Sequence, residues 1–426
     1  MREADGSQFE VEFVDAYRRI DRYPLARVRE ARVLVIGIGA IGNELVKNLA
    51  LFDIGHLLLC DMDRVEWANL SHSVLFRKRD HGRSKVKAAA REVKALNSRT
   101  KVSPFDCSLH ELGLGVWRRA DVIAAGLDSR GARLLLDRIC GRVGKDWVDA
   151  GLGAPTAGSS AEGLLQATVQ TFSPSGGFGY EDCLSDNLVR EDAEQELDKI
   201  ISGRYHRQGC DYLHEQAVRK LRVPTTPAMA SLVGALQAQE VIRRLSPGVW
   251  GDAELGPRRV SIDASRMTMR VDRYTPREPT APAARVQEEV GFSACSTTVG
   301  EIVARAKADQ GPETVVNLGY EYVLGFECSL CHRKERGPFR RSAKSVTCPH
   351  CSTPEAPVER RHLGPFMPNY VDGSEPFRDL PLHKLGVPLL DVLTAEVRHD
   401  RRAYAGSESV ACRRYELTGD LPAVFG

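Results

Sequence analysis

The chain has almost no charge excess of one sign: 59 lysines and arginines stand against 57 aspartates and glutamates in 426 residues, a formal net charge of +2. That balance argues against a strongly basic nucleic-acid binder and against an acidic interaction tail. No apolar opening segment reads as a signal peptide, and no run reaches the roughly eighteen apolar residues that cross a bilayer. The expectation is a soluble, cytoplasmic protein without a membrane partner. No internal repeat is found. Cysteine is not scarce, but its count of eleven is odd, the chain is long and most of the thiols are scattered, so a reducing compartment fits better than a disulfide framework.

What is present is concentrated between Arg32 and Asn97. The apolar run Val33 to Ile36 is strand-like, Gly37, Gly39 and Gly42 form a turn, and Glu44 to Leu51 has helical spacing with Leu45, Val46 and Leu49 inward. Asp61 closes a second strand, Leu57 to Cys60. Glycines in such a turn let backbone N–H groups at a helix start approach a phosphate. An acidic residue about twenty positions on is placed to accept from ribose hydroxyls. Up to this point the pattern also fits a nicotinamide-dependent oxidoreductase.

The residues after Asp61 narrow the reading. Asp61-Met62-Asp63-Arg64-Val65-Glu66, then Asn69-Leu70, Leu75-Phe76-Arg77 and Gly82-Arg83-Ser84-Lys85 resemble the family that activates ubiquitin-like and sulfur-carrier proteins, which includes ubiquitin-activating enzymes and the bacterial ThiF-MoeB-HesA adenylyltransferases. The likeness continues through Asp121-Val122-Ile123, Asp128 and Arg133 to Val223-Pro-Thr-Thr-Pro and the helical stretch Ala228 to Leu245, covering roughly the first 275 residues.

The resemblance implies an α/β fold with a doubly wound Rossmann-like sheet, using ATP and magnesium. Gly37, Gly39 and Gly42 would carry phosphates, and Asp61 the ribose, with Asp63 beside it. Asn69 would position the nucleotide, Lys85 and Arg77 would face phosphates, and Asp128 would hold magnesium with Arg133 pairing nearby. His72 stands where the family pattern Asn-Leu-x-Arg-Gln has its arginine, and a neutral imidazole offers less charge and no fork. Ser129 replaces the asparagine that usually follows the magnesium aspartate. Arg18 or Arg19, in the arginine-rich and helix-like opening of about thirty residues, resembles an arginine that family members insert into a neighbouring subunit, which implies a homodimer.

The likeness also implies a crossover segment, about 176–222, near the active site. Within it, Cys210 resembles the thiol that takes over the acyl group in ubiquitin-activating enzymes, and His206, Arg207 and His214 around it favour the thiolate. Cys183 is the rival, but the adjacent Glu181 and Asp182 raise its pKa. In sulfur-carrier relatives a zinc-binding Cys-x-x-Cys occupies that place; here its first cysteine is Tyr180, so that zinc pair is not kept.

A proline- and alanine-containing stretch from Tyr274 to Arg285 marks a boundary, giving an adenylation domain at 1–275, a linker at 276–294 and a smaller C-terminal domain at 295–426 of short strands and loops. There, Cys328-x-x-Cys331 and Cys348-x-x-Cys351, separated by sixteen residues, have the spacing of a closed tetracysteine zinc site within 325–355. The basic insert between the pairs reads as a solvated ribbon or protein-docking face ahead of a nucleic-acid contact. Together these imply an activator that adenylates the C-terminal glycine of a ubiquitin-like protein, forms a thioester and serves a conjugating enzyme. The alternatives are a sulfur-carrier adenylyltransferase and a catalytically silent scaffold.

Overall fold

Strands whose apolar residues do not alternate with polar ones need cover on both faces. Val33 to Ile36 are of this kind, and each is 2% exposed or less in β1 (Arg32–Ile36). The computed structural model describes residues 17–20, 23–153, 165–184, 187–201, 226–246, 248–249, 256–278, 288–319, 322–340, 348, 350–353, 358, 360–362, 370–397 and 413–425.

Among these, the first part of the chain contains, around β1, helices α1 (Leu25–Glu30) and α2 (Ala40–Leu51), then β2 (His56–Cys60), α3 (Lys85–Leu96), β3 (Lys101–Phe105), α4 (Leu114–Arg119), β4 (Val122–Ala125) and α5 (Arg130–Val143). β5 (Trp147–Leu152), β6 (Gln166–Phe172), α6 (Asn187–Ile201), α7 (Pro227–Leu245), β7 (Arg258–Asp263) and β8 (Thr268–Arg273) follow. The eight strands make one sheet in the order β3-β2-β1-β4-β5-β6-β7-β8. The first five run parallel and β6 to β8 continue antiparallel. The expected doubly wound α/β sheet is therefore present.

Odd and even residues of the central strands point to opposite faces, and each face has its own apolar core. Val33, Val35, Leu57 and Leu59 meet Leu45 of α2, Val93 of α3 and Val233 of α7. Leu34, Ile36 and Leu58 meet Trp117 of α4 and Leu136 and Ile139 of α5. Helix α7 comes so close to α2 that a Cβ at Gly234 would lie 2.6 Å from that of Glu44. Buried Gln237 of α7 donates to the carbonyls of Ala125 and Val148, at 2.8 and 3.0 Å, satisfying acceptors on β4 and β5.

The C-terminal region is more than loops around cysteines. β9 (Glu288–Val290), α8 (Val299–Gln310), β10 (Thr314–Asn317), β14 (Tyr370–Val371), β15 (Val392–Val397) and β16 (Arg413–Leu417) build a second sheet, β14-β10-β15-β16-β9. Val299, Ile302, Val303 and Ala306 of α8 pack with Val316, Leu393 and Tyr415 into a separate core. β9 falls inside the stretch 276–294 expected to be linker, because it pairs in parallel with β16 and buries Val290. A third, three-stranded sheet, β12-β11-β13, is formed by β11 (Tyr322–Cys328), β12 (Lys334–Arg340) and β13 (Arg360–His362).

This region docks onto α4 and the start of β2. A Cβ at Gly113 would lie 2.1 Å from the Leu389 carbonyl oxygen, and Gly115 N–H donates to the Leu390 carbonyl at 2.7 Å. Fully buried Glu416 pairs with both Arg118 and Arg119. The closing helix, α9 (Leu421–Phe425), sets Phe425 edge-on to His56 with ring centroids 5.9 Å apart. His56 opens β2, so the docking lies at the opposite end of the strands from the glycine turn.

Candidate active site

Strand order reverses at β1, with β2 on one side and β4 on the other; in open α/β sheets, such a switch point opens a crevice beyond the carboxyl ends of the strands. The glycine turn lies there. Gly37 has φ +85°, and a Cβ on it would lie 2.7 Å from the carbonyl oxygen of Gly126 in the turn after β4. A Cβ on Gly42 would lie 2.0 Å from the Gly37 carbonyl oxygen, so the turn can close only without one. Over Gly39 nothing lies within 4 Å, leaving the start of the twelve-residue α2 open to an anion.

Asp61 follows β2 and braces this turn. One carboxylate oxygen accepts the Ile38 N–H at 2.6 Å and the other the Asp63 N–H at 2.8 Å. Burial, more than the neighbouring Asp63 charge, pushes its pKa up against the opposing pull of Lys85. Lys85, the first residue of α3, holds Asp63 at 2.8 Å. Thus Asp61, Asp63 and Lys85 are brought into one group beside the glycine turn.

The others are placed less directly. Asn69 accepts the Glu66 N–H at 2.9 Å and so caps its own short turn. His72 is half-buried beside Ser71, whose hydroxyl is 3.0 Å from Nδ1, and burial first, then the Lys85 charge, lowers its pKa. Arg77 points its guanidinium at the Val74 and Phe76 carbonyls, 2.7 and 3.1 Å away, and at Glu92 of α3, 3.1 Å away. Arg19 is exposed, and neighbouring Tyr17 donates to the Leu51 carbonyl at the far end of α2. A twelve-residue helix is about 18 Å long, so this segment lies well away from the chain's own glycine turn. Cys210 lies outside the described residues.

Asp128 is exposed in the turn between β4 and α5. Arg133 grips the residue before it, donating to the Leu127 carbonyl at 2.5 Å while pairing with Asp149 at 2.9 Å. Burial raises the Asp149 pKa, and Arg133 opposes that rise. This pair helps to line a cleft of about 620 Å³, together with Gly151, Gln170 and Cys183. The Cys183 sulfur is 3.1 Å from the Gln170 amide, and desolvation, ahead of the Asp182 charge, pushes its thiol pKa up. The direction agrees with the expectation, although desolvation and not the adjacent carboxylates is its first cause.

The sequence reading missed Asn43. It is fully buried, donates to the Ile38 and Gly39 carbonyls at 2.9 and 3.1 Å, and accepts the Leu75 N–H at 3.0 Å. It therefore ties the glycine turn to the segment carrying His72 and Arg77. The available signal was an amide directly after Gly42, ahead of the inward apolar face of α2.

In the C-terminal region the sulfurs of Cys328, Cys331, Cys348 and Cys351 lie within 4.8 Å of one another, the one such cluster among the described residues. The Leu330 and Cys331 N–H groups each donate to the Cys328 sulfur at 3.3 Å, and the His350 N–H to the Cys348 sulfur at 3.4 Å. The backbone donors bring the pKa of the Cys328 thiol down to about 6, and four cysteine sulfurs at this spacing could form a closed zinc site.

The family model described as "ThiF family" matches residues 15–283. The chain belongs to the ThiF family. It is 37% identical over 102 residues to the NEDD8-activating enzyme E1 catalytic subunit of Dictyostelium discoideum, covering 24% of this chain and 23% of that one. It is 34% identical over 166 residues to the human ubiquitin-like modifier-activating enzyme 7, covering 37% of this chain and 16% of that protein. The crystal structure of E. coli MccB is a remote likeness, with a TM-score of 0.46 at 20% identity, covering 62% of this chain and 68% of that one. This ThiF-family chain thus spans less than a quarter of those two curated relatives. None of its described helices is long and apolar enough to cross a membrane.

Proposed function

We propose that this ThiF-family protein uses ATP and magnesium to adenylate the C-terminal glycine carboxylate of a ubiquitin-like protein. The observation carrying this reading is the grouping of Asp61, Asp63 and Lys85 beside a glycine turn that touches the Asp128 turn at the switch point of the sheet. A carboxylate oxygen of the modifier attacks the α-phosphorus, the bond from that phosphorus to the bridging oxygen breaks, and pyrophosphate leaves. Asp128 would hold the magnesium ion, which neutralises phosphate charge when bound. Asp61 would accept from the ribose through lone pairs not used by backbone N–H groups, Lys85 would be drawn from Asp63 toward phosphate, and Asn69 would position the nucleotide. The glycine turn offers backbone donors to the phosphates, and the oxidoreductase alternative gives way to the family match.

The second step assigned here is attack of the Cys210 thiolate on the acyl carbonyl, forming a thioester as the bond to the phosphate oxygen breaks and AMP leaves. The modifier would then pass to a conjugating enzyme. The partners, the homodimer with Arg19 reaching into the other subunit, a cytoplasmic location and zinc at the four cysteines belong to the same proposal. ATP–pyrophosphate exchange stimulated by a candidate modifier tests the first step; no exchange with any glycine-terminated modifier overturns it. Cys210→Ala tests the second: the modifier-linked thioester, seen as a thiol-sensitive band on a gel, disappears while exchange continues. An unchanged band would move the thioester elsewhere, whereas absence of any thioester in the natural protein would favour the sulfur-carrier adenylyltransferase.

His72→Arg gives a third readout. His72 is half-buried and within electrostatic reach of Lys85, so a guanidinium there could share an anion with that lysine, and a charge-assisted contact of order 1 kcal/mol corresponds to about fivefold tighter ATP binding. Calorimetry with ATP and magnesium checks it; weaker binding would mean that position 72 does not face the triphosphate.

A further inference from the structure

The turn carrying Asp128 is held from two sides. Arg133 holds the Leu127 carbonyl from within α5. On the other side the clasp comes from a different element: Glu196 of α6 accepts the Ser129 hydroxyl at 2.7 Å and the Gly131 N–H at 2.8 Å through the same oxygen. Ser129 itself accepts the Ala132 N–H at 3.2 Å, completing the cap of α5. The approach is close enough that a Cβ on Gly131 would lie 2.5 Å from the Glu196 Cβ and 2.6 Å from the Leu197 nitrogen. Leu134, Leu184, Ala193 and Leu197 form a small apolar core of their own beneath this contact. A buried serine hydroxyl that both caps a helix and donates to a carboxylate from the crossover segment is more than a cap requires.

We propose that Glu196 is a positioning residue for Asp128, transmitting the placement of α6 to the carboxylate that meets magnesium. The inference rests on the adenylation reading above. Any displacement that pulls α6 off α5 frees the Ser129 hydroxyl and the Gly131 N–H and loosens the start of α5, directly after Asp128. The position of α6 and that of the Asp128 carboxylate are then set together.

The test measures the magnesium concentration giving half-maximal ATP–pyrophosphate exchange, together with the melting temperature, in the full-length natural protein, Glu196→Ala, Glu196→Gln and Leu197→Ala. Partners that orient metal ligands typically change metal affinity by ten- to a hundredfold when removed, so Glu196→Ala is expected to raise the half-maximal magnesium about tenfold. Glu196→Gln keeps an acceptor for Gly131 and should fall between. Leu197→Ala weakens the apolar core beneath the same contact but keeps the Glu196 carboxylate, so it should lower the melting temperature with a clearly smaller rise in half-maximal magnesium than Glu196→Ala. If Glu196→Ala, or Glu196→Gln should the alanine variant not fold, loses thermal stability like Leu197→Ala but keeps the natural magnesium dependence, the positioning role is overturned while adenylation stands. If the natural protein shows no exchange at any magnesium concentration, the adenylation reading fails and this inference with it.

Discussion

Asp128→Ala is expected to lower ATP–pyrophosphate exchange by about 10²–10³-fold, because a bound magnesium ion supplies several kcal/mol of charge stabilisation and each 1.36 kcal/mol is tenfold in rate. The fold should not suffer. The side chain is at an exposed position, the Ser129 cap of α5 is made by its neighbour, and Arg133 holds the turn through the Leu127 main chain. Losing the charge that Asp128 presents to Arg133 should cost about 1 kcal/mol or less, as for an exposed pair. The separation of the two readouts is the point: a large rate loss with a nearly unmoved melting curve identifies a group that acts on the reactants. Exchange retained within tenfold of the natural protein would remove Asp128 from the metal site.

How far the sequence alone reached depended on whether the information was local. β1, β2, α2 and α7 could be read within a residue or a few of their observed ends, because each carries its own periodicity or an unbroken apolar run, with glycine or proline at the boundary. Gly37 and Gly42 could be read for the same reason: their need to lack a Cβ is imposed by contacts inside one turn or with the turn beside it. Asn43, Asp149 and Glu196 could not. Each is an ordinary polar residue on a strand or helix whose role exists only through a partner brought close by the fold: Leu75 for Asn43, Arg133 for Asp149, Ser129 for Glu196. Arg77 shows the same limit from the other side. Its place in the motif pointed to phosphate, yet Glu92, buried on the adjacent turn of α3, offers a carboxylate at 3.1 Å. The second sheet was missed for a different reason. α8 has a readable capping box, Thr298 with Glu301, and an inward row Val299, Ile302, Val303 and Ala306, but the strands it packs on are short and drawn from both ends of the region, so their pairing has no local signature.

Loss of the four-cysteine site should have the largest energetic consequence and the most confined one. Structural zinc sites carry about 10–16 kcal/mol of apparent binding free energy in small metal-folded modules, so removing a ligand removes the reason for such a module to fold. Cys348→Ser is expected to reduce bound zinc from one equivalent per chain to near none by elemental analysis. Amide exchange should then become fast across β11, β12 and β13, where the cysteines join three short strands. The second sheet around α8 has its own apolar core and the adenylation sheet two others, so their slow amides and the ATP–pyrophosphate exchange rate should survive. Acid should mimic the substitution. Zinc binds the deprotonated thiols, so its contribution is present at neutral and higher pH and is lost as falling pH protonates them. If the natural protein carries no zinc, or if Cys348→Ser leaves the ribbon's exchange unchanged, the cluster is not what holds those strands together. If the substitution instead abolishes exchange chemistry while the adenylation sheet stays protected, the ribbon takes part in presenting the modifier to the nucleotide and is more than a separately folded attachment.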